Sequence, residues 1–189
     1  MHLRRPSSPR VEPLAWAVEK ARERIKTATP MNPVNVSATL ANSKVLSKIV
    51  GGSAGVVMNG SNTEPRLREI VILRMGWNCQ SIYEFGQHQM GALTVGITQD
   101  EIYLITRPIG QGNWAPAEAA LLQMVDDLYA DDCVSDATWG ELSEQFETSL
   151  IMEYIGAAMS YRMVSAILNT CGVQLDEGVP PWPERPAQP

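Results

Sequence analysis

REIVILRMGWNCQSIYEFGQHQMGALTVGITQDEI, residues 68–102, holds the most unusual side chains of the 189-residue chain. Before it, Thr63 and Pro65 supply an N-cap and an early-helix proline, and Leu67, Ile70, Val71, Leu73 and Arg74 then fall at helical intervals. Asn78 to Val95 reads as a second or continued helix, apolar nearly all round, stopped by Gly96, and so the central buried helix of the molecule. Thr98 with Glu101 three residues later is a capping box that opens the next helix, which must end before Pro108.

One stripe of this stretch carries chemistry. At about 100° per residue, with Ser81 at zero, Glu84 lies at about 300° and His88 at about 340°. Trp77, Gly91, Ala92 and Val95 surround the stripe, so a carboxylate and an imidazole four residues apart face small and apolar neighbours. Such surroundings tune acid and base groups toward neutral pH, which makes Glu84 and His88 a proton-transfer pair. No Lys or Arg occurs between Arg74 and Arg107, so a cationic partner must come from Arg68, Arg74, Arg162 or another subunit. The structural alternative is that the pair satisfies itself within a helical core. Cys79 falls at about 160°, away from this stripe, and Tyr83 reads first as a core phenol.

Outward from this stretch, residues 1–13 place Pro6, Pro9 and Pro13 among arginines and serines, the composition of a loose arm. Leu14 to Thr27 reads as an exposed first helix, closed by Pro30 and Pro33. Residues 34–60 suggest one or two short helices broken at Gly51-Gly52 and Gly60. Helices are expected over Pro116–Tyr129, Asp136–Phe146 and Ser149–Cys171, the last ended by Gly172, with a Gly110/Gly112 loop before them. The final ten residues, PPWPERPAQP, form a tail in which Trp182 is expected to dock into a groove. The division is a basic arm and first helix at 1–33, a helical domain at 34–173 and a Pro-rich tail at 174–189. No stretch alternates like a strand, so the fold class is all-α.

Composition narrows the function. With 44% hydrophobic and 19% charged residues the chain can bury a core without staples. Beyond residue 26 there are 8 basic and 18 acidic side chains, and a body of charge −10 repels nucleic acid and anionic membranes. No apolar run is long enough for a membrane helix and the start lacks a secretory core, which points to the cytoplasm. Cys79, Cys133 and Cys171 lack CxxC spacing or a nearby His, so neither a disulfide framework nor a structural metal site is expected. The run Asp126, Asp127, Asp131, Asp132 reads as a solvated face.

The run quoted above resembles the signature region of the carboxymuconolactone decarboxylase-like family, which includes alkylhydroperoxidase D (AhpD). The likeness extends more weakly over residues 34–173. It implies an AhpD-like helical domain assembled as trimers or hexamers, a dimer being the smaller possibility, with no metal and no organic cofactor. In the peroxidase branch the active helix carries CxxC followed four residues later by His, with a proton-relaying Glu on the preceding helix. Carried over, the His falls on His88 and the Glu on Glu69, whereas the two cysteines fall on Ser81 and Glu84. The disulfide-cycling pair is therefore absent. YEFGQH instead resembles the decarboxylase-like branch, in which a Glu and a His manage protons on a small organic acid.

The expectation is a cofactor-independent lyase or isomerase acting on a small carbonyl, lactone or carboxylate compound. Glu84 and His88 carry the proton transfer, Glu69 orients His88, and Tyr83 and Cys79 stand behind them. Arg74 or Arg68 anchors a substrate carboxylate, with Ser81 and Trp77 lining its place. Two rivals are a thiol-dependent peroxidase using Cys79, and a non-catalytic oligomeric binding protein on the same scaffold.

Overall fold

The computed structural model describes residues 5–25, 31 and 33–184. Parts of the arm, the link after the first helix and the end of the tail, including Pro30, fall outside them. Among the described residues there are nine α-helices, one short 3-10 turn at Ile109–Gln111 and no strand. The helices are α1 (Ala15–Ile25), α2 (Val34–Leu40), α3 (Lys44–Asn59), α4 (Pro65–Asn78), α5 (Ile82–Thr94), α6 (Gln99–Ile105), α7 (Pro116–Asp131), α8 (Asp136–Gln145) and α9 (Thr148–Cys171).

Pro65 opens α4 as expected, but the cap is Glu64, whose carboxylate accepts from the amides of Arg66 and Leu67. Thr63 instead turns inward to Arg68. The Thr98–Glu101 capping box is present, and Ser135 caps α8. Gly51-Gly52 does not break α3, which runs unbroken from the Ser43 cap to Gly60. Its packing along α9 and the burial of Val50 and Val57 outweigh the roughly 1 kcal/mol that each glycine costs a helix.

The centre of the molecule is a hairpin of α4 and α5 rather than one helix. Every residue of α4 from Arg68 to Gly76 is buried, which explains why the helix has no apolar stripe: α5, α7 and α9 surround it. Ile72, Met75, Leu121, Met124, Tyr154 and Ala158 make one core between α4, α7 and α9. Ile70, Leu73, Phe85, Ile102 and Leu122 make another between α4, α5, α6 and α7. The chain reverses at Cys79–Ser81, where Gln80 takes a left-handed φ of 51°. Helix ends leave carbonyls without partners. Here the Cys79 carbonyl accepts from Arg5 Nη2 at 2.6 Å and Asn169 Nδ2 at 2.9 Å, which ties the corner to the arm and to α9.

Both ends of the chain are docked where described, contrary to the expectation of a loose arm. The amides of Arg10 and Val11 donate to the Cys171 carbonyl at the end of α9. The C-terminal segment crosses α5 as a strap. Asp176 Oδ2 accepts from the Tyr83 hydroxyl at 2.5 Å and from Gln87 Nε2 at 3.0 Å, and Gln89 donates to the Pro181 carbonyl. Trp182 lies edge-on to Trp77 and tilted on Phe85, each at 5.2 Å between ring centres, so the indole does dock.

Gly86 marks the tightest part of the crossing, because a Cβ there would lie 2.7 Å from the Pro180 carbonyl oxygen and 2.9 Å from Val179. Gly86→Ala is expected to destabilise the fold by about 1–3 kcal/mol through overpacking. Limited proteolysis should then cut within residues 175–184 well before the helices; a strap that stays resistant in the variant would contradict this packing.

Candidate functional site

The site is a buried imidazole between two carboxylates. His88 Nδ1 meets Glu69 Oε2 at 2.7 Å and His88 Nε2 meets Glu84 Oε1 at 3.1 Å. Glu84 comes from one turn earlier on α5 and Glu69 from α4. The three side chains are buried, at 3–5% exposure. Gly91, one turn further along α5, leaves Glu69 room: a Cβ there would already touch Glu69 Oε1 at 3.5 Å. Tyr161 of α9 closes the remaining side, its ring edge-on to the imidazole at 4.8 Å and 85°.

Burial by itself would push the His88 pKa down. The Glu69 carboxylate, by charge and hydrogen bond, and then Glu84 reverse this and hold it up to about 10. His88 is therefore an imidazolium at neutral pH, a proton held between two carboxylates. Burial, and then the Glu84 and Glu69 charges, push the Tyr161 phenol up, while Arg68 acts the other way. Ser81, at the start of α5, is fully buried with an unpartnered hydroxyl, and Ser165, one turn beyond Tyr161 on α9, is fully buried beside the Cys79 thiol. Tyr161 and Ser165 carried no sequence motif. Their only signal was polarity at i and i+4 on the buried side of a mostly apolar helix.

The other sequence candidates take different places. Arg74 is a fastening: its guanidinium pairs with Asp126 at 2.6 and 2.7 Å and donates to the carbonyls of Ile105 and Arg107. With four of its five N–H groups engaged and its Nε–Nη2 fork spent on Asp126, it has no fork to offer a substrate. Asp126 thereby serves the interior, and Asp127 caps α8 through Ser135 and Thr138, so the acidic run is more than a solvated face. Tyr83 points away from His88, to Asp176 and the Val36 amide. Trp77 packs with Phe85 and Trp182. Cys79 is at the corner before α5; its thiol donates to Met75 Sδ at 3.7 Å, and burial pushes its pKa up despite Arg162, Arg5 and Ser165. Arg68 is buried beside Thr63, on the same region of α4 as Glu69. Among the described residues no group of three or more His, Cys, Asp or Glu side chains is arranged to hold a metal ion, and no helix is long and apolar enough to cross a membrane.

The raised His88 pKa links to stability with a definite sign. A group held above its ordinary 6.5 stabilises the fold fully below that value, and the contribution drains away as pH rises through about 10. The melting temperature should therefore fall between pH 7 and 10 more steeply in the wild type than in His88→Gln. Parallel curves would show that the ring is neutral in the fold.

No protein-family model matches the chain, and no curated protein matches it. Solved structures do. A protein from Agrobacterium tumefaciens, proposed to be the antioxidant defence protein AhpD, superimposes with a TM-score of 0.69 at 19% identity, covering 79% of this chain and 99% of its own. A peroxidase-related protein with an alkylhydroperoxidase AhpD core, from Ralstonia eutropha JMP134, gives 0.71 at 13% identity over 85% of this chain and 83% of its own. The debrominase Bmp8 gives 0.72 at 13% identity over 89% and 92%. The likeness at these identities is one of architecture: the chain has the AhpD-like all-α fold.

Proposed function

We propose that the protein is a cofactor-independent acid–base enzyme of the carboxymuconolactone decarboxylase-like kind, acting on a small carbonyl, lactone or carboxylate compound by decarboxylation or isomerisation. The observation that carries this reading is the Glu69–His88–Glu84 chain, a buried stored proton with a carboxylate at each end. Enzymatic and peroxidase-related neighbours on the same fold support a catalytic role. The positions that the sequence resemblance aligns with the redox cysteines are Ser81 and Glu84, and Cys79 is held as a buried thiol against Met75. That arrangement favours proton chemistry over thiol chemistry.

In this scheme Glu84 Oε1 faces His88 and Oε2 faces the substrate. For decarboxylation, the bond between the carboxylate and the carbon next to a carbonyl breaks and its electron pair moves into the carbonyl as an enolate. Carbon dioxide leaves. The His88 proton passes through Glu84 to the carbon, and water restores it. For isomerisation, Glu84 takes a proton from one carbon and returns it to another. Glu69 is a positioning residue: on Nδ1 it fixes the ring and keeps it charged. We also propose that the chain assembles as a homo-oligomer, supported by the exposed Trp16, Val45 and Ile49, and expect light scattering to give a mass above 20.8 kDa.

The test is carbon dioxide release and solvent-deuterium incorporation across a panel of carboxylactones and β-keto acids. Glu84→Gln and His88→Ala should each lose roughly 10²–10⁴-fold in turnover, with circular dichroism unchanged. Full activity in both variants would end the acid–base reading. Silence across the panel, with peroxide consumption that needs a thiol and disappears in Cys79→Ser, would replace it with the peroxidase.

A further inference from the structure

Arg68, next to Glu69 on α4, has no carboxylate partner among the described residues. It is 8% exposed, its Nη1 donates only to the carbonyl and hydroxyl of Thr63, at 3.0 and 3.3 Å, and its Nε is buried without a partner. Among the described residues no carboxylate lies within 4.0 Å of it, whereas Arg66, Arg74 and Arg162 each have one. A buried guanidinium left so is expensive unless an anion completes it. On α4 Arg68 directly precedes Glu69, whose carboxylate meets His88 Nδ1 at 2.7 Å.

A groove open to solvent lies one hydrogen-bonded pair, Ser61 and Thr63, away from Arg68. Between α3 and α9 runs a groove of about 470 Å³, walled by Gly52, Val56, Val57 and Gly156, with Ser61 and Ser160 among its polar groups. The Ser61 hydroxyl is 2.7 Å from that of Thr63, the same hydroxyl that accepts from Arg68. Ser160 adjoins Tyr161. The acidic group on the groove, Glu153, is already occupied by the amide and side chain of Asn62. Apolar walls with convergent polar groups at one end describe a site for a small molecule with one charged head.

We propose that Arg68, backed by Thr63 and Ser61, is the anion subsite of the enzyme and takes the carboxylate of a small, singly charged organic acid entering between α3 and α9. The inference rests on the acid–base reading above and deepens it. It also separates two guanidinium groups that the sequence could not: Arg74 is spent on Asp126, and Arg68 is the anchor.

The test is a binding measurement that needs no turnover. Benzoate, with benzamide as its uncharged counterpart, is titrated into the protein while the Arg68 Nε–H signal is followed by ¹⁵N NMR. Benzoate should shift that signal saturably and benzamide should not. Arg68→Met should lose at least tenfold in benzoate affinity. Because a buried arginine variant can fail to fold, Gly156→Leu serves as the second: Gly156 lines the groove and a Cβ there meets nothing within 4 Å, so the added side chain starts in open groove space. It should keep the helix content and abolish benzoate binding. An unmoved Arg68 signal, an equal response to benzamide, or undiminished binding in a folded Gly156→Leu would overturn the proposal. Glu84→Gln separates the two readings: benzoate binding retained with turnover lost supports both, binding with an active Glu84→Gln leaves the subsite standing without the proton chain, and turnover without binding at Arg68 does the reverse.

Discussion

A charged ring in the interior is the constraint around which this molecule is arranged. His88 is tolerated there because each ring nitrogen has a carboxylate, one from its own helix and one from the neighbouring helix. Removing either carboxylate would strand the remaining charge in a medium that solvates it poorly. The pair thus fixes the register of α4 against α5, and the Cys79–Ser81 corner must be the length that brings Glu69 level with His88. Arg5 and Asn169, bound to the corner's carbonyl, hold that geometry from two other parts of the chain.

The same demand shapes both central helices. α4 is buried over nine successive residues, so its charged side chains there look for partners inside: Glu69 finds His88, Arg74 finds Asp126 and two carbonyls, and Arg68 finds only the Thr63 carbonyl and hydroxyl. α5 divides into two functional sides. Glu84, His88 and Gly91 face α4 and α9, while Tyr83, Gly86, Gln87 and Gln89 carry the C-terminal strap. Asp176 and Trp182 are what make that second side interior. The strap therefore completes the burial of the helix that bears the site, without entering the site.

The sequence resemblance aligns the two redox cysteines of the peroxidase branch with Ser81 and Glu84, at the start of α5. A serine and a carboxylate at these positions supply no disulfide pair, and the proposed proton transfer uses the carboxylate. The nearest thiol, Cys79, precedes the helix and packs on Met75. One scaffold hosting different chemistries is expected when the fold supplies only the geometry.

Much of the fold was legible in the sequence because its signals are local. The capping box at Thr98, the prolines at 65 and 116 and the glycine at 172 act within one helical turn, and the i, i+4 spacing of Glu84 and His88 is a property of any helix. The resemblance added Glu69. What required the tertiary structure was everything decided between elements. Spacing cannot say that Tyr83 turns to Asp176, 93 residues away, or that two arginines six residues apart on α4 meet different fates, one paired and one not. Nor could it show that α3 would continue through Gly51-Gly52, that a basic arm would dock, or that the groove expected for Trp182 would be the one at Trp77 and Phe85, since those outcomes depend on surfaces offered by distant helices. Local hydrogen bonding and periodicity set the helices and the stripe; long-range burial alone decided which charges are satisfied, and hence which remain available for chemistry.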